Sequence, residues 1–306
     1  MPLSSLSAKC ACSDTLGGSR NSKASLFVAE DSITGVGLMS SKSRGDVSSP
    51  LTIIAGMCVI EGEAVFLEVG RELKSICDNF GFDFVLKGSF DKANRTSVDS
   101  YRGPGIELGL EILRIAKERL GVRVTTDVHS VEQVVRVASV VDIIQVPAFL
   151  CRQTDILTAC GATGLPVNVK KGQFLSGSDM AHVVAKLRSA GAGEITVTER
   201  GTTFGYNNLV ADMRNLVTMR QEGVSVCFDA THSVQRPGAA SGASGGDREL
   251  AAPLARAAVA VGIDALFFEV HPRPIEAKSD SATAIKLSNV GEFLRGVAEI
   301  HQIVSS

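Results

Sequence analysis

Short runs of β-branched and other apolar residues alternate with longer amphipathic stretches from residue 51 to the end of the chain. Several of the short runs are apolar throughout, which is typical of strands buried on both faces of a parallel sheet. The runs predict eight strands, at 51–58, 82–88, 122–126, 141–146, 166–170, 194–198, 224–228 and 264–270. The amphipathic stretches predict eight helices, near 62–79, 104–120, 130–139, 153–163, 178–190, 206–221, 247–261 and 288–304.

This alternation of strand and helix predicts βαβ units and therefore a parallel sheet. Eight such units close naturally into a TIM (β/α)8 barrel, which forms one domain of roughly 250 residues. A doubly wound open sheet is the structural alternative, but it usually has fewer strands. No G-x-G-x-x-G turn follows the first predicted strand, as it often would in that fold. We therefore predict a single α/β barrel domain over residues 51–306.

Residues 1–50 differ in composition from the rest of the chain. They are rich in Ser and Gly and show little regular periodicity. A segment of this kind buries too little apolar surface to fold alone, so we expect a disordered or loosely attached extension. An organelle transit peptide and a start codon placed too far upstream are the alternatives.

Charge and cysteine content narrow the class of protein further. The net charge of −2 over 306 residues excludes a global basic field for nucleic acid, so a phosphorylated substrate would need locally clustered Lys and Arg. No apolar run reaches the roughly 18 residues of a membrane span, and no secretory signal is evident. The seven Cys, an odd number, favour a reducing compartment over a disulfide framework. We expect a cytoplasmic protein without nucleic-acid or membrane partners.

Polar and ionisable residues concentrate at the predicted carboxyl ends of the strands, where a TIM barrel builds its active site. They are Cys58, Lys87, Lys92, Asn94, Arg95, Asp127, His129, Gln145, Lys170, Lys171, Glu199, Arg200, Asp229, His232, Glu269, His271 and Asp280. A purely structural barrel has no reason to place them at one end, so the pattern indicates an enzyme. The loops at 89–103, 230–246 and 271–287 are long, and the PGAASGASGG stretch at 237–246 is either a lid or a plain flexible loop.

Four of these residues form a candidate metal site, namely Cys58, His232, Glu269 and Asp280. They follow strands one, seven and eight, and strand eight pairs with strand one in a closed barrel. A thiolate, an imidazole and carboxylates suit Zn²⁺, Fe²⁺ or Mn²⁺, and the mixed set does not choose among them. Taken singly, Cys58 would more often be a small buried hydrophobe, and His232 a hydrogen-bonded histidine without a metal. Their convergence on one rim is what predicts the site.

A second group of residues is cationic and consists of Lys87, Lys92, Arg95, Arg152, Lys170 and Arg200. Lys87 and Lys170 end otherwise apolar strands, where an unpaired cation would be costly, so we expect a bound anion to pair with them. Arg offers bidentate geometry to phosphate and carboxylate, whereas Lys offers a point charge. The number of cations indicates two phosphorylated groups. Lys92 or Lys170 could instead be the nucleophile of a Schiff-base aldolase.

Several motifs resemble the 3-deoxy-D-manno-octulosonate-8-phosphate synthase family. They are KGSFDKANRTS (87–97), SYRGPG (100–105), TTDVH (125–129), IIQVPAFLCRQTD (143–155), VNVKKGQF (167–174), TERGTTFGYNNLVADMR (198–214), DATHSVQRPG (229–238) and FFEVHPRP with SDSAT (267–283). The resemblance covers essentially 51–304. The KANR segment discriminates, because the related heptulosonate-phosphate synthases have a Lys-Pro-Arg-Thr type of motif there.

The resemblance implies a TIM-barrel transferase that condenses phosphoenolpyruvate with D-arabinose 5-phosphate and water in Kdo and lipopolysaccharide biosynthesis. It implies a phosphoenolpyruvate site made of Lys87, Lys92, Gln145, Lys170 and Arg200. Asn94, Arg95 and the Thr96 hydroxyl would bind the aldose phosphate, and Arg152 would reach that phosphate from a neighbouring subunit of a homotetramer. We expect Lys92, His232 and Asp280 to be the catalytic residues.

The resemblance also places the chain in the metal-dependent branch of that family, where Cys rather than Asn ends the first strand. Cys58, His232, Glu269 and Asp280 match the ligands of that branch. Two departures are Met57, where the family usually has Pro, and Thr96, where many members have Ser. A heptulosonate-phosphate synthase that uses erythrose 4-phosphate and a Schiff-base aldolase stay open as alternative functions, and a degenerate barrel that serves as a scaffold is the non-enzymatic one.

Overall fold

The computed structural model describes residues 50–95, 97–240 and 243–305. Apart from Pro50, the predicted N-terminal extension at 1–50 lies outside these residues, and so does Thr96. All eight predicted strands are present, each within two residues of its predicted ends. They are β1 (Thr52–Val59), β2 (Asp83–Ser89), β3 (Arg123–Asp127), β4 (Ile143–Val146), β5 (Val167–Lys170), β6 (Ile195–Glu199), β7 (Ser225–Asp229) and β8 (Ala265–His271).

One helix follows each strand. The helices are α1 (Glu63–Phe80), α2 (Ile106–Leu120), α3 (Val131–Ala138), α4 (Thr154–Ala162), α5 (Met180–Ser189), α6 (Arg214–Arg220), α7 (Ala251–Val261) and α8 (Val290–Val304). Gly81 and Gly121 end α1 and α2 in the left-handed conformation, with φ of 70° and 62°. A residue without Cβ adopts this conformation at no steric cost, which explains why both helices end there.

The eight strands form a closed parallel barrel. Each strand pairs with the next along the chain, and β1 pairs with β2 on one side and with β8 on the other. Thr52 lies opposite Asp83 in the first pairing and opposite Ala265 in the second. The ring of pairings has no free edge among these strands, and the predicted TIM (β/α)8 barrel is confirmed.

The sixth helix and the loop before it differ from the prediction. The amphipathic pattern predicts a helix over 206–221, but α6 begins only at Arg214. Thr202–Thr203 and Leu209–Val210 pair instead as two short antiparallel strands. Asn207 forms the turn between them with a φ of 50°, a left-handed conformation that a continuous helix cannot contain.

The stretch at 237–246, predicted as a lid or a plain flexible loop, is largely part of a hairpin. Strands Gln235–Ala240 and Ala243–Gly246 pair antiparallel, with Gln235 opposite Gly246. Gly246 permits a close approach, because a Cβ there would lie 2.2 Å from the Thr283 side chain. The hairpin therefore starts directly at the rim of the barrel, beside the loop that follows β8.

The barrel interior is apolar in its amino-terminal half and charged at its carboxyl end. At the amino-terminal half it is filled by a small apolar cluster of Ile54, Val85, Cys227, Ala265 and Phe267. Side chains alternate along a strand with a period of two, so the next inward positions on β2, β7 and β8 belong to Lys87, Asp229 and Glu269. The same alternation that builds the core therefore delivers charged groups to the carboxyl end of the barrel.

Candidate active site

A cavity of about 700 Å³ opens at the carboxyl end of the barrel strands. Its lining includes most of the residues predicted for the site, namely Lys87, Lys92, Asn94, Arg95, Gln145, Lys170, Arg200, His232, Glu269 and Asp280. Cys58 lies just beneath this lining, where its sulfur contacts Asp280. Arg152 is an exposed residue that does not line the cavity. With Asp127 of β3 also in the lining, barrel closure brings residues from all eight strands, or from the loops after them, to one place.

Three of the four predicted metal ligands lie together. The ligand atoms of Cys58, Glu269 and Asp280 are all within 4.8 Å of one another. His232 lies outside that group of three, although its Nε2 is 3.7 Å from Glu269 Oε2 and 3.8 Å from Asp280 Oδ2. The four side chains therefore face a common point between β1, β7 and β8.

The chemistry of this group fits a divalent cation. Glu269 Oε2 is buried and has no hydrogen-bond partner, which costs free energy unless a ligand binds it. Burial raises the pKa of the Cys58 thiol well above its ordinary value, and the Asp280 and Glu269 carboxylates raise it further. A bound cation would instead lower the pKa of Cys58, because it stabilises the thiolate and offsets both carboxylates.

The backbone at Asp280 is strained. Its φ of 48° is in the left-handed region, and Asp280 is one of two residues other than Gly with a positive φ among those described. Its Oδ2 accepts a hydrogen bond from the Cys58 thiol at 2.9 Å, and its Oδ1 accepts one from Gln235 Nε2 at 3.0 Å. Such conformations cost of order 1–3 kcal/mol and concentrate at functional sites.

Lys87 and Lys170 each pair with a carboxylate of the protein. Lys87 Nζ is 2.8 Å from Glu269 Oε1 and also donates to the Cys58 carbonyl at 2.8 Å. Lys170 Nζ is 2.5 Å from Asp229 Oδ2 and lies 3.0 Å from the centroid of the Phe267 ring. Each lysine meets a carboxylate from the next strand but one around the barrel, so neither needs an anion to offset its charge. Their predicted role in substrate binding stays a prediction.

Asp229 contacts both Lys170 of the cationic group and His232 of the candidate metal site. Its Oδ2 accepts from Lys170 and is also 2.8 Å from Nδ1 of His232. This contact turns the other ring nitrogen, Nε2, toward Glu269 and Asp280, as a metal-binding histidine requires. Burial raises the pKa of Asp229, but His232 and Lys170 lower it more, so the pKa lies far below its usual value. The carboxylate is therefore ionised.

Lys92 lies between two carboxylates on the other side of the cavity. Its Nζ is 3.7 Å from Asp127 Oδ2 and 3.9 Å from Glu269 Oε1. Burial lowers the pKa of Lys92, but the negative groups around it, with Cys58 and Glu269 first, raise it well above its ordinary value. The charged ammonium fits electrostatic binding of an anion and opposes the neutral amine that a Schiff base needs.

Two arginines of the cavity have donors that no protein group satisfies. Arg200 Nη2 donates to Gln235 Oε1 at 2.8 Å, but its Nη1 is buried without a partner. Arg95 Nη1 donates to Ser279 Oγ at 2.5 Å, and its Nε is likewise buried without a partner. Buried donors of this kind indicate a ligand that supplies acceptor oxygens.

The other residues predicted to bind substrate in the chain's own cavity are Gln145, Asn94 and Thr96. Gln145 Nε2 donates to Asp127 Oδ1 at 2.5 Å, so its side-chain orientation is fixed. Asn94 is exposed at the mouth of the cavity. Thr96 lies outside the described residues.

Three residues of the site were not given a role by the sequence. Asp229 and Gln235 stood in a quoted motif, and Ser279 begins the SDSAT motif. Asp229 was predicted at the carboxyl end of its strand, and its inward position two residues after the apolar Cys227 accounts for its place in the cavity lining. No comparable signal exists for Gln235 and Ser279, because they lie in a short hairpin and a loop beyond the apolar barrel strands.

These features define a (β/α)8 barrel enzyme with a candidate anion site at its carboxyl rim, beside a candidate metal site. Residues 39–306 match the model of the DAHP synthetase I family, and the chain belongs to this family. Its similar relatives include 2-dehydro-3-deoxyphosphooctonate aldolases. One from Syntrophotalea carbinolica is 53% identical over 255 residues, which cover 83% of this chain and 92% of that protein. One from a Synechococcus species is 54% identical over 263 residues, which cover 86% of this chain and 92% of that protein.

A third relative with the same name, from Geobacter sulfurreducens, is 54% identical over 255 residues, which cover 83% of this chain and 94% of that protein. The name is a synonym of 3-deoxy-D-manno-octulosonate-8-phosphate synthase, so the resemblance drawn from the motifs is confirmed.

Proposed function

We propose that this enzyme condenses phosphoenolpyruvate with D-arabinose 5-phosphate and water to give 3-deoxy-D-manno-octulosonate 8-phosphate and inorganic phosphate. C3 of phosphoenolpyruvate attacks the aldehyde carbon, water adds at C2, and phosphate leaves by cleavage of its bond to C2. The names of the relatives favour this reaction over the erythrose 4-phosphate and Schiff-base alternatives. The reaction makes a precursor of Kdo, which places the enzyme in lipopolysaccharide biosynthesis.

The observation that carries this proposal is the pair of incompletely bonded guanidinium groups in one cavity. Arg200 and Arg95 each have a buried N–H without a protein acceptor. They come from loops after different strands, β6 and β2, which suits two separate anionic groups. We assign Arg200, with Lys87, Lys92, Gln145 and Lys170, to phosphoenolpyruvate, and Arg95, with Asn94 and Thr96, to the aldose phosphate.

The protein groups bind and orient the two substrates. Both substrates are polyanions that repel one another in water, and cations from several strands offset their charge so that the reacting carbons can approach. The positions of Lys87, Lys92 and Lys170 are fixed by carboxylates, so little reorganisation is needed when substrate binds. His232 and Asp280 lie next to one another and are the candidates for proton transfer.

We further propose that Cys58, His232, Glu269 and Asp280 bind a divalent metal ion. The unpartnered Glu269 Oε2 and the donor set of thiolate, imidazole and carboxylates support this assignment. Zn²⁺, Fe²⁺ and Mn²⁺ all suit these ligands. When bound, the ion would act as a Lewis acid that polarises the aldehyde or a water molecule.

We propose that the enzyme is a cytoplasmic homotetramer in which Arg152 of a neighbouring copy completes the aldose phosphate site. Support comes from the position of Arg152, which is exposed and outside the cavity of its own chain. Among the residues that the structure describes, no helix is long and apolar enough to cross a membrane.

The first test is release of inorganic phosphate from phosphoenolpyruvate with arabinose 5-phosphate, before and after chelation. We expect activity that the chelator abolishes and an added divalent metal restores. Cys58→Ala should lose the metal response. Cys77→Ala, which removes a buried thiol of α1 away from the cavity, should keep it. Activity indifferent to chelation would keep the condensation and refute the metal site.

Two further measurements separate the alternative reactions. Faster turnover with erythrose 4-phosphate would establish the heptulosonate-phosphate reaction. A covalent adduct trapped by borohydride in the presence of substrate would establish a Schiff-base mechanism. We expect neither result.

A further inference from the structure

Ser279 lies between Cys58 of the candidate metal site and Arg95 of the cationic group. The residue is 3% exposed, and its hydroxyl oxygen has two hydrogen-bond contacts. It lies 3.1 Å from the Cys58 sulfur and accepts from Arg95 Nη1 at 2.5 Å. A single oxygen therefore joins a predicted metal ligand to a predicted ligand of the sugar phosphate.

The segment that carries Ser279 is fixed on both sides of the cavity mouth. The Lys278 carbonyl accepts a hydrogen bond from Arg95 Nη2 at 3.1 Å, and the Lys278 backbone N–H donates to Glu61 Oε1 at 2.9 Å. The Lys278 ammonium lies 4.4 Å from the centroid of the Tyr101 ring. Groups from the loops after β1 and β2 thus anchor the loop after β8, so the position of the hydroxyl is well determined.

The Ser279 hydroxyl can connect Arg95 to the Cys58 sulfur. A hydroxyl has one donor and two acceptor sites. The single S–H of Cys58 is accepted by Asp280 Oδ2 at 2.9 Å, so the Ser279 O–H can donate to the sulfur while its oxygen accepts from Arg95. The result is a chain from a guanidinium through a hydroxyl to the sulfur, in which each bond polarises the next.

We propose that Ser279 is a positioning residue that orients the Cys58 thiolate for the metal ion and the Arg95 guanidinium for the sugar phosphate. The inference rests on the proposed function and deepens it. Outer partners that donate to a metal ligand typically change metal affinity by about 10–100-fold when they are removed. Arg95 keeps its Nε for the substrate, because that donor has no protein partner.

The first arm of the test measures metal binding without turnover. Metal-free Ser279→Ala is titrated with Co²⁺, and the thiolate-to-cobalt charge-transfer absorption reports the bond to Cys58. We expect a Kd about 10–100-fold weaker than that of the parent protein and a shifted absorption band. Ser281→Ala is the matched control, because Ser281 lies two residues away in the same loop, is exposed, and engages Arg248 through its backbone carbonyl.

The second arm measures steady-state kinetics at saturating metal. Ser279→Ala should raise the KM for arabinose 5-phosphate about tenfold, because Arg95 loses a fixed acceptor, and should leave the KM for phosphoenolpyruvate within about twofold. Ser279→Thr keeps a hydroxyl and should recover most of both effects. A residue that served only folding would change both KM values or neither.

The outcomes separate this inference from the proposed function. Parent-like Co²⁺ affinity and parent-like KM values in Ser279→Ala would overturn the inference while the reaction stood. A parent protein that binds Co²⁺ through a thiolate but turns over neither aldose would refute the reaction, and the metal titration would still decide whether Ser279 positions Cys58. A parent without a thiolate-to-cobalt band would overturn the inference.

Discussion

At the scale of single residues, charged side chains at the carboxyl end of the barrel interior pair with one another. Lys87 pairs with Glu269, and Lys170 with Asp229, with each of these side chains almost fully buried. Breaking one such pair leaves an uncompensated buried charge, which costs about 3–5 kcal/mol. The sequence predicted these lysines and carboxylates at the rim, but not which of them pair, because the partners lie far apart in the chain.

The free energy of unfolding should decrease at acidic pH, in part because Asp127 becomes protonated. Burial raises the pKa of Asp127, but Lys92, Lys87 and His129 lower it more, to well below its ordinary value of 3.8. The folded-state pKa is thus below the unfolded-state pKa. The ionised carboxylate therefore stabilises the folded protein above about pH 4, and this stabilisation is lost as the pH falls below that value.

Asp127→Asn should be less stable than the parent protein at neutral pH, and its free energy of unfolding should change less as the pH falls below about 4. Urea unfolding of the metal-free proteins across this range measures both effects. Asp78→Asn, which removes an exposed pair with Lys74 on α1, is the control and should retain the pH dependence of the parent. Equal slopes for the parent and Asp127→Asn would contradict the assignment.

At the scale of elements, the first strand is shaped to place Cys58. Gly56 lies opposite Lys87 in the β1–β2 pairing, and a Cβ at Gly56 would be 1.9 Å from the Lys87 carbonyl oxygen. The register shifts between Met57 and Val59, so β1 has an irregularity at Cys58 itself. Met57, which departs from the usual Pro of the family, is buried and packs in the outer core.

Gly56→Ala should destabilise the protein by about 1–3 kcal/mol, because the two strand backbones must separate to admit a methyl group. Thermal and urea unfolding measure the change. Gly62→Ala is the control, since a Cβ there meets nothing within 4 Å and its extended φ of 163° suits any residue. Parent-like stability of Gly56→Ala would show that β1 and β2 can move apart at little cost.

The same scale shows where periodicity succeeds and where it fails. The eight barrel strands were predicted to within two residues, because apolar runs buried on both faces are a local signal. The sixth helix was predicted eight residues too early. Its pattern continues through 206–213, but Asn207 turns the chain so that 202–203 and 209–210 pair with each other. The pairing also contacts the loop after β5, where the Thr203 N–H donates to the Gln173 carbonyl at 2.8 Å, and no local pattern describes that contact.

At the scale of the whole molecule, the question is whether one chain completes its own site. The cavity of a single copy includes Arg95 and Arg200 but not Arg152. Several large apolar side chains near this rim are exposed, among them Phe174 at 59% and Phe204 at 68%. Both features favour an assembly in which neighbouring copies cover these side chains and exchange Arg152.

Mixed assemblies should test the exchange. Arg152→Ala and His232→Ala should each have little activity, because each lacks one part of every site. When the two variants are unfolded together and refolded as a mixture, some sites combine an intact His232 with an Arg152 from the neighbour. We expect activity in the mixture to exceed the sum of the separately refolded variants. No gain, in a mixture shown to contain hybrids, would place Arg152 outside the neighbour's site.

The sequence by itself determined the order of the elements, the class of fold and the end of the barrel that carries the chemistry. These properties follow from period and composition within short windows of the chain. Only the tertiary structure decided which charges pair, since Lys87 and Glu269 are 182 residues apart and meet because the barrel closes. It also decided the position of Ser279, because a buried hydroxyl in a loop has no pattern until the loops after β1, β2 and β8 meet above the same cavity.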